Sequence, residues 1–170
     1  QTKANQLIEA CMLAANVAVS EILTHKKYAI LYRNHEAPSA EKINDINYTF
    51  KHLGIKLPPA SKLKPKDYNQ ILKSFANDPA FDIIQSALMK SMPQAVYATK
   101  KLGHFGLAYA SYCHFTSPIR RYADLTVHRS LIHYLDNNTP QHSLHELNQL
   151  GARLSTCERN SEQAERDAML

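Results

Sequence analysis

The sequence predicts an α+β domain that is predominantly α-helical and contains only a few short strands. Apolar residues recur at helical spacing over residues 2–23 and form one stripe along a long amphipathic helix. Runs of residues with strand propensity are short, at 28–32, 96–99 and 105–111. The length of 170 residues and the absence of internal repeats fit one domain over residues 1–170.

Start and stop signals place the helices of the first half. Ser39 is expected to begin a helix that runs to about residue 53 and ends at Gly54. The segment 57–66 holds three prolines and three lysines, so it is predicted to be a loop. Asp67 and Asp78 are expected to cap two short helices at 67–76 and 79–91.

The helices of the second half have similar signals. Ser117 and Pro118 are typical of a helix start, because serine caps free N–H groups and proline fits the first helical position. Residues 137–140 are expected to end that helix, and Ser143 is expected to begin a last helix that reaches the C-terminus.

Composition limits the classes of function. The chain carries 20 Lys and Arg against 15 Asp and Glu, a formal charge of +5 that favours acidic partners such as nucleic acid. Its three cysteines form no CxxC pair, which predicts reduced thiols in a cytoplasmic protein. The longest apolar stretch, 13–19, is too short to span a bilayer, and no signal peptide is visible, so no membrane partner is expected.

The segment 114–129, HFTSPIRRYADLTVHR, contains the main cluster of candidate functional residues. Arg120 and Arg121 follow the predicted helix start, where the helix dipole is positive and disfavours cations. An anion such as a phosphate would complete this site. Alternatively, the arginines pair with Asp124 or extend into solvent.

Other residues of this segment have two interpretations each. Asp124 lies one helical turn from Arg120 and His128, so it either orients cationic donors towards phosphates or forms ordinary pairs worth about 0.2–0.5 kcal/mol. Phe115 either packs against Tyr122 or a core residue, or stacks on a base, and packing is favoured.

Metal-ligand patterns are absent from the sequence. It has no clustered carboxylates of the kind that hold Mg²⁺, and its neighbouring histidines 133, 142 and 145 lack cysteine partners for zinc. It also lacks a P-loop, a GxGxxG motif and a GxSxG motif. No residue of this chain is therefore predicted to bind a metal.

The sequence resembles the RNB catalytic domain of the ribonuclease II/ribonuclease R family of 3′→5′ exoribonucleases. The resemblance rests on YCHFTSPIRRYADLTVHR and extends over nearly the whole chain. It includes IEACMLAANVAVSEIL at 8–23, LYRNHEAPSAEKI at 31–43, AVYATKKLGHFGLAYASY at 95–112 and ERNSEQAERDA at 158–168. LYRNHEAP and HFGLAY place the chain nearer the ribonuclease R branch. Cys113 and Ala123 depart from the pattern without changing its polar residues.

The resemblance implies a function for the whole protein. Such enzymes bind single-stranded RNA and release nucleoside 5′-monophosphates processively from the 3′ end, using Mg²⁺ held by aspartates. Those aspartates belong to the N-terminal half of the domain, so this chain would be its C-terminal half, without metal of its own and inactive alone. Cold-shock RNA-binding domains would precede it and an S1 domain would follow it. Apolar surface normally covered by the missing half would allow self-association.

The resemblance also implies roles for single residues. Arg120 matches an arginine that contacts the phosphate near the scissile bond and would stabilise developing charge there. Glu9 matches a glutamate near the 3′-terminal nucleotides, and Glu165 matches one near the terminal ribose hydroxyls. Further RNA-contacting candidates lie in the same motif: Arg121, Tyr122, His128 and Arg129.

The rival hypothesis is a non-catalytic RNA-binding or protein-interaction module that retains the RNB fold. A DxxxxxDxDD run upstream of this chain would support the enzyme, and its absence would support the binding module. A purely structural helical domain is the weakest alternative.

Overall fold

Six α-helices and one two-stranded sheet form the regular structure of the described residues, 2–137, 139–140 and 142–169, in a computed structural model. In chain order the elements are α1 Lys3–His25, β1 Tyr32–Asn34, α2 Ala40–Thr49, α3 Pro65–Ser74, α4 Phe81–Ser91, β2 Val96–Ala98, α5 Tyr122–Leu135 and α6 Leu144–Ala168. Short 3₁₀ helices lie at Lys51–Leu53 and Phe105–Leu107. The predicted class, mostly helical with few short strands, is confirmed.

The elements form two compact units. The first contains Gln1–Asn34, Val96–Gly103 and Tyr109–Leu170, and the second contains His35–Ala95 and His104–Ala108. Each unit has its own apolar core, because helices with one apolar face must bury it against another element.

The first unit is built on α1, which packs against α5. Thr2 caps α1 by accepting a hydrogen bond from the backbone N–H of Asn5. By length and composition alone, α1 is apolar enough to cross a membrane, a test that core helices of soluble proteins also pass. Its buried face carries both apolar and polar residues, namely Asn16, Val19, Ser20 and Leu23. Only this face is packed, and apolar residues such as Leu7 and Ile8 elsewhere on α1 are exposed.

The sheet of the first unit is antiparallel and places Arg33 opposite Tyr97. α6 packs on β2 so closely that a Cβ atom on Gly151 would lie 2.7 Å from the Tyr97 carbonyl oxygen. Arg33 also forms a two-point ion pair with Glu158 of α6, at 2.6 and 3.0 Å, while its guanidinium lies over the Tyr97 ring. The sheet and α6 are thus joined by both packing and charge.

The second unit holds α2, α3 and α4 around buried residues such as Ile43, Ile84 and Leu88. Ser39 caps α2 as predicted, and Gly54 ends the following 3₁₀ turn in the left-handed conformation with φ 73°. These features follow directly from the helix signals of the sequence.

Two predicted caps of the second unit are wrong by a few residues. α3 begins at Pro65, inside the predicted loop, so Asp67 lies in the first turn and accepts a hydrogen bond from the Lys64 N–H instead. Asp78 accepts from the Ala80 N–H in a turn, and α4 begins only at Phe81.

The predicted strand at 105–111 is also wrong. Residues Phe105–Leu107 form a 3₁₀ helix. Histidine side chains accept hydrogen bonds from N–H groups of this helix. His35 Nδ1 accepts from Gly106 at 3.0 Å, and His104 Nδ1 accepts from Leu107 at 3.2 Å. β2 pairs with β1. Of the predicted strand at 28–32, only Tyr32 lies in β1, which continues to Asn34.

The last two helices of the first unit agree partly with the sequence. Ser143 caps α6 and forms a reciprocal capping box with Glu146. α5 ends at Leu135; the predicted terminating stretch 137–140 includes Asn138, which lies outside the described residues. Leu170, at the predicted end of the last helix, also lies outside the described residues.

Candidate nucleic-acid interface

The arginine motif lies on a turn that precedes α5. Ser117 does not begin the helix, contrary to the sequence prediction. Its carbonyl accepts from the Arg120 N–H (3.3 Å) and the Arg121 N–H (3.1 Å), as at a helix start. The extended backbone of Arg121 (φ −124°, ψ 116°) then interrupts the turn before α5. α5 begins at Tyr122, and Arg121 is its extended N-cap residue. Arg120 therefore lies on the turn, outside the first helical turn, and is exposed.

Asp124 organises this turn through a fully buried carboxylate. It accepts two hydrogen bonds from the Arg121 guanidinium, from Nε and Nη2, each at 2.8 Å. It also accepts from the Ser117 N–H at 2.8 Å. Of the two interpretations of the arginines, the structure shows the pairing with Asp124 for Arg121, so the anion near the helix start is the protein's own carboxylate. The expected contacts of Asp124 with Arg120 and His128 are replaced by this pair.

Phe115 and His128 form a second contact within the motif. Their rings stack with centroids 3.9 Å apart and an interplanar angle of 8°. His128 Nε2 lies 2.8 Å from the Phe115 carbonyl oxygen. Phe115 also packs against the core of the first unit, so of its two interpretations the structure favours packing, with His128 as a neighbour in place of Tyr122.

Asn16 connects α1 to the same segment. Its side-chain oxygen accepts from the Phe115 N–H at 2.9 Å, and its Nδ2 donates to the Tyr112 hydroxyl at 3.0 Å. Its backbone carbonyl accepts from the Cys113 thiol at 3.4 Å. With 4% exposure, Asn16 is buried and has a partner at both ends of its amide.

A cleft of about 360 Å³ opens beside these contacts within the first unit. Its lining combines an apolar surface from α1 with polar groups from α1 and the segment before α5: Asn5, Ile8, Glu9, Met12, Leu13, Asn16, Tyr112, Thr116 and Arg121. An apolar surface with a few converging polar groups suits a ligand that has a flat apolar part and charged or hydroxyl groups. Glu9 supplies a hydroxyl acceptor and Arg121 supplies a cation.

The remaining predicted residues lie elsewhere than in this lining. Tyr122 and Arg129 pair on α5, where Arg129 Nη1 donates to the Tyr122 hydroxyl at 3.2 Å. Glu165 is exposed on α6. The structure thus brings Glu9 and Arg121 together in one cleft and leaves Arg120, the Tyr122–Arg129 pair and Glu165 on other surfaces.

Burial shifts the ionisation of groups near the motif. Burial, with the Asp124 charge as a second cause, raises the pKa of the Cys113 thiol to about 12. Burial also raises the pKa of Tyr112, although its hydrogen bond from Asn16 acts in the opposite direction. Both groups are therefore neutral near pH 7, and among the described residues the formal charges that line the cleft are those of Glu9 and Arg121.

Metal binding has no support from the described ranges. Within residues 2–137, 139–140 and 142–169, no group of three or more His, Cys, Asp or Glu side chains lies close enough to hold an ion.

Sequence reasoning missed the contributions of Tyr112 and Thr116 to the cleft. For α1 a signal exists, because Glu9, Met12 and Asn16 follow one another at spacings of three and four residues and so share one helix face. For Tyr112 and Thr116 no such signal exists, because neither residue belongs to a helix or strand.

The sequence model of the RNB domain matches residues 1–137. The chain belongs to the RNB family. It is 41% identical to "Ribonuclease R" of Escherichia coli (strain K12) over 175 residues, an alignment that covers 96% of this chain and 22% of that protein. The resemblance to this family that the sequence motifs carry is thereby confirmed.

Comparison with solved structures also supports the RNB fold of this chain. A structure described as Mycoplasma genitalium RNase R in complex with ribose methylated single-stranded RNA has a TM-score of 0.90 at 32% identity, covering 99% of this chain and 27% of that one. Yeast Ssd1, described as a pseudonuclease, has a TM-score of 0.75 at 25% identity, covering 86% of this chain and 19% of that one. The chain spans about a quarter or less of the length of each of these proteins.

Proposed function

We propose that this chain is the C-terminal part of the RNB domain of a 3′→5′ exoribonuclease similar to ribonuclease R. The protein would hydrolyse single-stranded RNA processively to nucleoside 5′-monophosphates. The observation that carries this proposal is the 41% identity to a ribonuclease R over 96% of the chain. The cleft that holds Glu9 and Arg121 supports it, because RNA offers both hydroxyls and phosphates.

Arg120 is the proposed catalytic residue of this chain. Its exposed guanidinium on the turn would contact the phosphate near the scissile bond and stabilise charge that develops there. Loss of one such donor raises a barrier by about 2.7–4 kcal/mol. Because the turn is closed by two hydrogen bonds to Ser117, the position of Arg120 is restricted before RNA binds.

Glu9 and Arg121 are the proposed RNA contacts of the cleft. Glu9 would accept hydrogen bonds from hydroxyls of the 3′-terminal nucleotides, and Arg121 would attract the phosphate backbone. The pairing of Arg121 with Asp124 fixes the guanidinium plane but satisfies only part of its donors. Tyr122, Arg129 and Glu165 are further proposed contacts, with Glu165 near the terminal ribose.

Hydrolysis would depend on parts of the protein outside this chain. The Mg²⁺ that such enzymes use would be held by aspartates of the N-terminal half of the domain, where it would activate the attacking water. This chain alone would be inactive. The whole protein would act in the cytoplasm on single-stranded RNA, with flanking RNA-binding domains, and isolated chains would self-associate through apolar surface.

A non-catalytic RNA-binding module is the second candidate. The similarity to yeast Ssd1 favours it, because a protein described as a pseudonuclease shares this fold. The two candidates differ in whether RNA is shortened once it is bound.

The test is incubation of the full-length protein with 5′-labelled single-stranded RNA and Mg²⁺, with the products separated on a gel. Stepwise shortening from the 3′ end supports the enzyme. RNA that is bound but left intact supports the binding module instead. Arg120→Ala should slow the shortening, whereas Arg153→Ala, which removes an exposed arginine of α6, should not.

A further inference from the structure

The backbone of Phe115 is held from two sides by side chains of different helices. Asn16 of α1 accepts from the Phe115 N–H at 2.9 Å. His128 of α5 approaches the Phe115 carbonyl oxygen at 2.8 Å and stacks on the Phe115 ring. One residue without regular secondary structure is therefore fixed at its N–H, its C=O and its side chain.

These contacts define the hydrogen positions of both side chains. A carbonyl oxygen only accepts, so the contact requires that His128 carries a hydrogen on Nε2. The Phe115 N–H only donates, so the Asn16 oxygen must face it and its Nδ2 must face the Tyr112 hydroxyl, 3.0 Å away. Each group therefore has one arrangement that satisfies every bond.

The clamp formed by Asn16 and His128 on Phe115 lies directly before the arginine turn. Phe115 precedes Ser117 by two residues, and Ser117 is held by Asp124 at its N–H. Residues between Phe115 and Tyr122 belong to no helix or strand, so side chains of α1 and α5 determine their path. Release of Phe115 would loosen the start of the segment that carries Arg120 and leave the Asp124 contact to Ser117 and the hydrogen bonds of the turn to hold the rest.

We propose that Asn16 and His128 are positioning residues that set the location of Arg120 through their contacts with Phe115. This inference rests on the proposed function of Arg120. His128 would then act on RNA indirectly, through Phe115, which occupies one face of its ring and its Nε2 edge, in place of the direct RNA contact that the resemblance implies. A displacement of a reacting group by about 1 Å can cost about 10²-fold in rate.

The first test measures the clamp itself, by hydrogen exchange of the full-length protein with mass spectrometry of peptides that cover 112–118. Asn16→Ala should raise exchange in this segment. Ser20→Ala is the matched control, because it removes another buried hydrogen bond of α1, from Ser20 to Ser111 at 2.8 Å, without touching Phe115. Unchanged exchange in Asn16→Ala, or an equal rise in Ser20→Ala, would overturn the clamp.

The second test measures its consequence, by single-turnover cleavage and RNA affinity of the full-length protein. We expect His128→Phe to slow cleavage at least about tenfold with RNA Kd changed less than about twofold, since an interaction realised only in the transition state is lost. Asn16→Ala should slow cleavage to a similar extent, but it also removes a side chain that lines the cleft, so only its rate is compared. His128→Gln keeps an N–H donor and should retain most of the rate. Equal rates in His128→Phe and His128→Gln would overturn the proposed role of His128.

The outcomes separate this inference from the proposed function. If the wild-type protein leaves RNA intact, the proposed function fails and the positioning role fails with it, while hydrogen exchange still decides whether the clamp exists. If the wild type shortens RNA and both Asn16→Ala and His128→Phe do so at the same rate, only the positioning inference fails.

Discussion

Asp124 and Arg121 form a two-point ion pair in which the carboxylate is fully buried and the guanidinium is only partly covered. The side chain of Arg121 remains 22% exposed, whereas that of Asp124 is 0% exposed. Arg121 therefore carries its charge into the cleft while Asp124 fixes its orientation from behind. This arrangement explains how an arginine can lie at the start of α5 without an external anion.

Replacement of Asp124 by Asn should destabilise the protein. It leaves Arg121 without its counter-charge and changes the acceptor of the Ser117 N–H, and breaking a buried pair costs about 3–5 kcal/mol. Because Arg121 is partly exposed, we expect a smaller loss of about 2–4 kcal/mol in the free energy of unfolding. Urea denaturation measures this loss, with Asp136→Asn on the exposed end of α5 as a control. Equal stability of the two variants would contradict the account of Asp124.

Gly151→Ala should also destabilise the protein, although alanine favours helices by about 1 kcal/mol. The added Cβ would lie 2.7 Å from the Tyr97 carbonyl oxygen, so α6 and β2 would have to separate. Overpacking of this kind costs about 1–3 kcal/mol. A lower Tm is expected for Gly151→Ala, while Ser161→Ala on an exposed part of α6 should leave Tm nearly unchanged. A higher Tm for Gly151→Ala would show that the contact is loose.

Stability should fall as the pH rises from about 9 to about 12, and Cys113 should contribute to this fall. The folded state raises the pKa of its thiol from 9.0 to about 12. Within this window the unfolded chain has lost the proton while the folded chain retains it, so the free energy of unfolding decreases. Cys113→Ala should give a shallower decrease, measured by urea denaturation at several pH values. The exposed Cys11→Ala is the control, and identical slopes for the two variants would refute the assignment.

Affinity for single-stranded RNA should depend on salt through the arginines of the motif. The slope of log K against log salt is about 0.7 per phosphate neutralised on single strands. Replacement of Arg120 and Arg121 together by Ala should lower the slope by about 0.7 for each phosphate that the variant no longer neutralises. Fluorescence anisotropy over a series of salt concentrations measures the slope. Binding that is insensitive to salt would contradict an electrostatic interaction.

Local signals in the sequence predicted most of the helices correctly. The cap residues Ser39 and Ser143 begin α2 and α6, and Gly54 ends its turn, because each of these effects depends on neighbouring backbone groups alone. The family was also predictable, because the motif around Arg120 is long.

Contacts over long sequence separation were not predictable. The strand at 105–111 failed because the His35 side chain, distant in sequence, takes an N–H that a strand would have used. The start of α5 at Tyr122 depends on a turn whose first N–H is bound by Asp124. Asn16 and Phe115 are 99 residues apart, and they meet in a fold in which α1 packs against α5.

Binding of the RNA 3′ end in the cleft is tested most directly by photocrosslinking of the full-length protein to RNA that ends in a 3′-terminal 4-thiouridine, with Mg²⁺ chelated. Mass spectrometry then identifies the crosslinked peptides. If the cleft receives the 3′ end of RNA, crosslinks should map to 5–16 and 112–121, which line it. Crosslinks that map only outside these segments, from RNA that is bound with the same affinity, would contradict the account.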